Sequence, residues 1–171
     1  MSLRLEACTL NDVDLLVKVS RATFKAAFEA QNDADDFAAY LTTAFSKETL
    51  ADELTQTHTD FYFCHGADGL VGYMKLNAFD AQSELREPEG MELERIYVLP
   101  EFQNRKIGQY LLQQALDIAK ARSKRYLWLG VWERNLKAIR FYERHGFEKF
   151  GTHPYLIGAD EQTDWLMRKT L

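Results

Sequence analysis

The chain has little of several residue types and patterns that mark particular classes of protein. Its 171 residues include only two cysteines, three prolines and four histidines. Cys8 and Cys64 lie far apart without Cys-x-x-Cys spacing, so neither a disulfide framework nor a structural zinc site is expected. No signal peptide is visible, and no apolar run approaches the ~20 residues of a membrane-spanning helix. We therefore expect a cytoplasmic protein without a metal ion and without membrane association.

A surplus of positive charge is also absent. Lys and Arg number 21 against 26 Asp and Glu, which gives a net charge of -5. This balance argues against a general nucleic-acid surface, and no helix-turn-helix pattern or basic stripe is present, so no nucleic-acid partner is expected. The same acidity permits a cationic substrate. The length fits a single domain over residues 1–171 with a sizeable core.

Strand and helix patterns mix throughout the chain. Strands are predicted at residues 3–7, 61–64, 70–79, 91–99, 126–132, 147–153 and 163–169, and helices near residues 13–28, 36–45, 46–57, 106–122 and 136–145. Residues 80–90 are polar and contain Pro88, which predicts a loop. This mixture favours an α/β fold built on one sheet.

Residues 91–146 carry the most information about function. A predicted strand ends just before Pro100, and residues 103–108 then open a long amphipathic helix. A loop that begins a helix directly after a strand presents free backbone N–H groups and the positive end of the helix dipole. Such a loop suits a pyrophosphate group. One strand and one loop further on, Asn135 begins a helix that carries Ala138, Phe141 and Tyr142 on one face.

This order and spacing resemble the Gcn5-related N-acetyltransferases (GNAT). The resemblance implies a single mixed, mostly antiparallel, twisted sheet of about seven strands flanked by helices, and acetyl-CoA as co-substrate without a metal. It implies that the following residues bind the CoA moiety: Ile96, Tyr97, Val98, Gln103, Asn104, Arg105, Lys106, Ile107, Gly108, Gln109, Asn135 and Tyr142. Lys106 replaces the first glycine of the family's loop pattern, which we expect to be tolerated if its φ stays negative.

The resemblance also implies catalytic roles. Tyr142 would protonate the departing thiolate, since a phenol of pKa ~10 can donate to a thiolate of pKa ~8.5 with little penalty. The alternative is a core tyrosine whose hydroxyl finds a partner. For the general base the candidates are Glu92 and Glu94, which share a strand face, and Glu133 at the end of the next strand. Surface carboxylates or partners of Arg95 are the alternative reading of the first two.

The segments 92–98, 128–135 and 158–164 look like those of the PaiA-like polyamine N-acetyltransferases. This likeness implies a small-molecule amine as acceptor, with Phe28, Glu29, Asp33 and Asp36 beside it. Carboxylates spaced along a groove would suit a polycation. An ordinary solvated acidic loop explains the acids equally well.

Two other functions remain open. One is acetylation of a protein α-amino group or lysine, and the other is a CoA-binding sensor without turnover. The resemblance also allows a homodimer through the C-terminal strands, for which apolar Trp165, Leu166 and Met167 are candidates unless they belong to the core.

Overall fold

A computed structural model describes residues 2–171. Within these residues the elements follow the order β1 (Arg4–Ala7), α1 (Val13–Phe28), α2 (Ala34–Ala44), α3 (Lys47–Thr55), β2 (Thr59–Gly66), β3 (Gly69–Ala78), β4 (Gly90–Val98), α4 (Ile107–Ala121), β5 (Tyr126–Trp132), α5 (Leu136–Arg144), β6 (Glu148–Ile157) and β7 (Asp160–Thr170). Short 3-10 turns join some of them. The predicted order of helices and strands is confirmed, with shifts of a few residues at the ends.

Three of the helices begin at side-chain caps that the sequence indicates. The Asp33 carboxylate accepts hydrogen bonds from backbone N–H groups of α2, and the Ser46 hydroxyl and Asn135 amide oxygen do the same for α3 and α5. Each cap satisfies an N–H group that has no partner within its helix. Helix α5 ends before Gly146, whose φ of 89° is the left-handed conformation that glycine adopts without strain.

The seven strands form one sheet in the order β1-β2-β3-β4-β5-β7-β6. Strands β4 and β5 are parallel, and the other five neighbouring pairs are antiparallel. The prediction of a mixed, mostly antiparallel sheet of about seven strands flanked by helices is thereby confirmed.

The parallel pair separates early. Its register covers only Gly90 to Glu92 against Tyr126 to Trp128, although β4 continues to Val98 and β5 to Trp132. Strand β5 instead stays paired with β7 along its whole length. The sheet therefore has a gap between the C-terminal halves of β4 and β5.

Apolar cores cover both faces of the sheet. Along β3, Met74 and Leu76 point toward α4 and α5, and Tyr73 points toward α1, α2 and α3, as the alternation of a strand requires. In β4 this alternation is shifted by a β-bulge. Lys75 pairs with Arg95 and Leu76 with Leu93, so Glu94 is the extra residue.

The closing hairpin is longer than the sequence predicted. Strands β6 and β7 pair from Glu148 to Ile157 and from Asp160 to Thr170, across residues 154–162 that the sequence left unassigned. Pro154 is tolerated because β6 is an edge strand, where a missing N–H removes no ladder bond. Leu166 and Met167 of β7 are buried in the cores, so they do not form a free surface for a second subunit.

The cysteines, the possible metal ligands and the helix lengths complete the description of the fold. Cys8 and Cys64 are free thiols, and burial raises the pKa of Cys8 to about 12 and that of Cys64 to about 11. Such thiols are poor nucleophiles. In the described part of the chain no three His, Cys, Asp or Glu side chains converge as metal ligands would. None of the helices described has the length and apolar character needed to cross a membrane.

Candidate active site

A cleft of ≈ 690 Å³ occupies the gap between β4 and β5. One wall is the end of β4 with Ile96, Tyr97 and Val98, and the other is β5 from Gly130 to Trp132. The start of α4 and one face of α5 form the remaining walls of the cleft. A cleft between separated parallel strands is a common position for a ligand in α/β proteins.

The N-terminus of α4 lies at one end of this cleft. Lys106 is the N-cap residue, and its side chain makes no capping bond, in contrast to the caps of α2, α3 and α5. The first backbone N–H groups of this 15-residue helix therefore remain available to an anion, with the helix dipole behind them. Gly108 and Gln109 of this first turn line the cleft.

The preceding loop differs from expectation in its backbone. Lys106 has φ 63° and Asn104 has φ 64°, both left-handed. The condition set for a side chain at residue 106, a negative φ, is not met, because Lys106 adopts the left-handed conformation for which glycine is the usual residue. Left-handed residues in a turn direct successive N–H groups into a concavity that binds anions. Lys106 therefore combines a positive charge with a left-handed backbone conformation.

Most of the residues predicted to bind CoA line this cleft. The exception is Arg105, whose guanidinium packs over the Phe102 ring, 5.5 Å from its centroid. Gln103 ties the loop to the strand, since its Nε2 donates to the carbonyl oxygen of Val98 at 3.3 Å. The other predicted contacts, from Ile96 to Gln109 and at Asn135 and Tyr142, are on the walls.

Helix α5 supplies two polar side chains to the same cleft. Asn135 uses Oδ1 to accept from the N–H of Ala138 at 3.2 Å, which leaves its Nδ2 as the group that can donate to a ligand. Tyr142 is 8% exposed, and burial raises the pKa of its phenol above the ordinary value. Its hydroxyl therefore remains protonated throughout the physiological pH range and can act as a proton donor.

The ladder between β3 and β4 also directs backbone groups at the cleft. The N–H of Leu99 donates to Val71 on β3 at 2.9 Å. Because N–H groups alternate in direction along a strand, that of Val98 points away from β3, toward the gap. It is a donor of the kind that polarises a thioester carbonyl.

A second, smaller cavity of ≈ 240 Å³ adjoins the cleft on the α1–α3 side of the sheet, and we call it the inner pocket. Its walls are rich in aromatic rings and acids. The aromatic residues are Phe24, Tyr40, Phe45, Tyr97, Trp128 and Tyr155, and the acids are Glu84, Glu92, Glu94 and Asp164. Tyr40 on α2 is hydrogen-bonded to Tyr155 on β6, which links that helix to the sheet beside the pocket.

Residues 25–147 match the model of the acetyltransferase (GNAT) family. The chain belongs to this family. It is 38% identical over 160 residues to an uncharacterized N-acetyltransferase of Lactobacillus delbrueckii subsp. lactis, covering 94% of this chain and 92% of that protein. It is 27% identical over 173 residues to a spermidine N(1)-acetyltransferase of Thermoplasma acidophilum, covering 99% and 98%.

Among solved structures, the PaiA N-acetyltransferase from Thermoplasma acidophilum in complex with coenzyme A superposes with a TM-score of 0.80. It is 23% identical and covers all of both chains. The GNAT fold is thereby confirmed, and the protein is an acetyl-CoA-dependent N-acetyltransferase. The cleft fits this co-substrate: the uncapped α4 and left-handed loop suit a pyrophosphate, and the free edge of β4 suits an extended amide-bearing arm.

The two carboxylates predicted as candidate bases are both held by neighbouring groups. Glu92 is 3% exposed and accepts from the Ser83 N–H at 2.8 Å, the Ser83 hydroxyl at 2.5 Å and Asn77 Nδ2 at 2.9 Å. Burial, together with the charge of Glu94, raises its pKa in spite of these bonds. Glu92 lines the inner pocket but not the larger cleft.

Glu94 lies at the bulge inside a network of charges. Its Oε2 is 2.7 Å from Lys75 Nζ and 3.4 Å from Arg95, and both cations also contact Glu53 of α3. Burial by itself would raise the pKa of Glu94, but Arg95 and Lys75 together bring it below the ordinary value. This carboxylate is therefore ionised and weakly basic, which suits a structural anion better than a proton acceptor.

The acids predicted beside the acceptor are not brought to the site. Phe28 lines the cleft, but Glu29, Asp33 and Asp36 line neither cavity. Asp33 caps α2, and Glu29 is an exposed partner of Lys25. The candidate base Glu133 is exposed and also outside both cavities.

Two acids of the inner pocket were missed by the sequence analysis. Glu84 comes from the loop before β4, and its Oε1 lies 2.5 Å from Nδ1 of His153. Asp164 comes from β7, and burial raises its pKa to about 6. A signal for Asp164 existed, because an acid that precedes three apolar residues in a predicted strand is a candidate buried acid. The loop residue Glu84 gave no comparable signal.

Proposed function

We propose that the protein transfers the acetyl group of acetyl-CoA to a primary amine of a small polyamine or diamine. The inner pocket is the acceptor site in this proposal, and the larger cleft holds acetyl-CoA. Transfer occurs by direct attack with both substrates bound. A covalent route through a cysteine is disfavoured because the pKa values of Cys8 and Cys64 are raised.

The charge and the walls of the inner pocket carry this proposal. Four carboxylates line a cavity of ≈ 240 Å³, against one guanidinium, that of Arg95, and one imidazole, that of His153. The charge of Arg95 is already countered by Glu53 and Glu94. Aromatic faces around an alkylammonium add cation–π attraction, worth about 0.5–2 kcal/mol each. An organic cation with a short apolar chain satisfies both kinds of wall.

The size of the pocket favours a small acceptor over a protein. Helix α2 is joined to β6 by the Tyr40–Tyr155 hydrogen bond, and Asn32 at its N-terminal side accepts from Gln162 Nε2 at 2.6 Å. These links hold α2 against the β6–β7 hairpin beside the pocket, which favours an enclosed site over an open peptide groove. The name of the Thermoplasma acidophilum relative, a spermidine N(1)-acetyltransferase, agrees with a polyamine acceptor.

The reaction assigns one task to each of three groups. The unprotonated amine nitrogen attacks the thioester carbon while the Val98 N–H donates to the carbonyl oxygen. The carbon–sulfur bond then breaks, and Tyr142 gives its phenolic proton to the departing thiolate. The attacking nitrogen, which becomes positively charged when it bonds to the carbonyl carbon, then loses one proton through water to the phenolate of Tyr142. An ammonium and acetyl-CoA thus give an N-acetylamine, CoA thiol and one proton.

The first experiment is mass spectrometry of an amine panel incubated with enzyme and acetyl-CoA. The panel contains putrescine, spermidine and spermine, with a lysine peptide and a free N-terminal peptide for comparison. Acetylation of the polyamines with little or no peptide product is the expected result. Acetylation of a peptide alone would reject the polyamine proposal in favour of a protein acceptor. Tight acetyl-CoA binding without any product would favour the sensor function.

The role of Tyr142 is tested by Tyr142→Phe, with Tyr110→Phe as the matched control. Tyr110 lies on α4 outside both cavities, and its hydroxyl donates to the Leu3 carbonyl oxygen at 3.4 Å. We expect kcat to fall by roughly 10²-fold in Tyr142→Phe, typical of a lost acid, with the acetyl-CoA Kd nearly unchanged. Equal kcat in the variant and the parent would remove Tyr142 from this role.

A further inference from the structure

Asp164 reaches the reaction site from a strand that does not border the gap. Strand β7 pairs with β5 on the side away from β4, and Asp164 lies opposite Trp132 in that register. Its side chain nevertheless lines both the larger cleft and the inner pocket. Among the four acids of the inner pocket, only Glu94 shares this position on both cavities.

A glycine on β5 gives this carboxylate its access. A Cβ built on Gly130 would lie 3.4 Å from Asp164 Oδ2, so the oxygen lies close beside the bare backbone of β5. A longer side chain at residue 130 would compete for this space at the edge of the gap. Gly130 and Asp164 therefore act together: the missing side chain on one strand leaves room for the carboxylate of the next.

The competing carboxylates have partners that Asp164 lacks. Glu92 accepts three hydrogen bonds, and Glu94 is paired with Lys75 and Arg95. Within residues 2–171 no group donates a hydrogen bond to the Asp164 carboxylate and no cation lies within ion-pair distance. A carboxylate without hydrogen-bond donors keeps its basicity, because no hydrogen bond stabilises its charged form.

We propose that Asp164 is the general base, accepting the proton that the acceptor ammonium must lose before it attacks, directly or through one water molecule. This inference rests on the proposed amine acetylation. In the step, an N–H bond of the ammonium breaks, its electron pair stays on nitrogen, and the proton joins a carboxylate oxygen of Asp164. The protonated Asp164 returns this proton to solvent after product release.

The surroundings of Asp164 match this task at neutral pH. Its pKa is raised to about 6 by burial, against the opposing effect of the His153 charge and with a small contribution from Glu84. A base near this value is ionised at pH 7 and is stronger than an ordinary aspartate. The other ionisable side chains lining the inner pocket are Glu92, Glu94 and Arg95 of β4, Tyr97 of β4, Tyr40 of α2 and Tyr155 of β6.

The test is the pH dependence of kcat/KM for Asp164→Asn, using the best amine of the panel. Asp160→Asn is the matched control, because Asp160 is on the same strand but exposed and outside both cavities. In the parent and the control, kcat/KM should follow an acidic limb with an apparent pKa near 6. In Asp164→Asn we expect a loss of ~10²-fold or more at pH 7. The loss should shrink steadily toward pH 10, where the free amine forms without help.

A purely structural role predicts a different result. It would lower kcat/KM by the same factor at every pH and leave the acidic limb in place, and that outcome would overturn the assignment. The assignment would also be overturned if the acidic limb disappeared in Glu92→Gln and remained in Asp164→Asn. The acetyl-CoA Kd and circular dichroism of each variant show whether it is folded. If the parent enzyme acetylates no amine at all, the proposed function fails, and this result is distinguishable from a failure of Asp164.

Discussion

Replacing Asp164 with asparagine isolates the free energy of keeping a carboxylate charged beside the candidate site. Asparagine has nearly the same shape and carries no charge. The pKa of Asp164 is about 6 in the folded protein, against an ordinary value of 3.8. This difference corresponds to about 3 kcal/mol of destabilisation once the group is ionised in both states. Asp164 is half-buried, so about 2 to 3 kcal/mol is the expected range.

The sign follows from the direction of the pKa change. A carboxyl group whose pKa is raised on folding binds its proton more tightly in the folded state. Relative to a neutral side chain, Asp164 therefore does not lower the free energy of unfolding below pH 3.8, where it is protonated in both states. Above pH 3.8 the loss of unfolding free energy grows, and it is complete once the folded group is ionised above pH 6. The asparagine variant should thus exceed the parent in unfolding free energy by about 2 to 3 kcal/mol at pH 8, and by about half that amount at pH 5.

Urea denaturation at pH 5, 6.5 and 8 measures this difference, with Asp160→Asn as the control at each pH. The control should stay within about 0.5 kcal/mol of the parent, as is usual for exposed positions. Equal m values would show that the variants unfold from comparable states. A difference between Asp164→Asn and the parent that does not change with pH would refute the reasoning, because only the titration of Asp164 supplies the slope. The experiment is independent of any substrate.

Three further predictions concern stability and the shape of the site. Lys106→Gly should raise the unfolding free energy by about 1 kcal/mol, because glycine adopts a φ of 63° without strain; a lower urea midpoint would contradict it. Lys75→Met should lower the unfolding free energy by about 3 kcal/mol, because it leaves Glu53 without its lysine partner. Adding Glu53→Met should restore part of the loss, since both members of a buried pair are then removed. Purely additive effects in the double variant would argue against coupling. Gly72→Ala should cost about 1 to 3 kcal/mol, because its Cβ would lie 2.5 Å from the carbonyl oxygen of Tyr97, and unchanged thermal unfolding would show that β4 can move.

The sequence was sufficient to predict most of the residues that line one end of the larger cleft, because that end is built from consecutive residues. Loop 103–108 follows β4 and opens α4, so its position in the chain also sets its position in space. The same holds for Asn135, which caps α5 next to the end of β5. The backbone of Lys106 could not be inferred in this way. A lysine ordinarily indicates negative φ, and only the contacts of the loop as a whole override that preference.

The inner pocket, which we propose as the acceptor site, could not be predicted because distant parts of the chain form it. Asp164 on β7 and Glu84 before β4 are 80 positions apart in the numbering, and both line the inner pocket. The acids near residue 33 are predicted beside the acceptor because they follow the helix that borders the cleft. Their side chains serve the N-terminus of α2 instead, where Asp33 is the cap. A local sequence pattern does not distinguish an acid that caps a helix from an acid that lines a pocket. The order of the strands in the sheet is needed to tell which acids come together.

The site depends on three departures from regular sheet geometry. The gap between β4 and β5 makes the cleft, and the bulge at Glu94 places an extra residue where β4 leaves its neighbour. Glycine at residue 130 then keeps the facing edge of β5 bare. A regular strand in any of these places would close the opening or fill it with a side chain. Because Lys75, Arg95 and Glu53 hold the bulge by charge pairs, the stability of this network and the geometry of the inner pocket should change together.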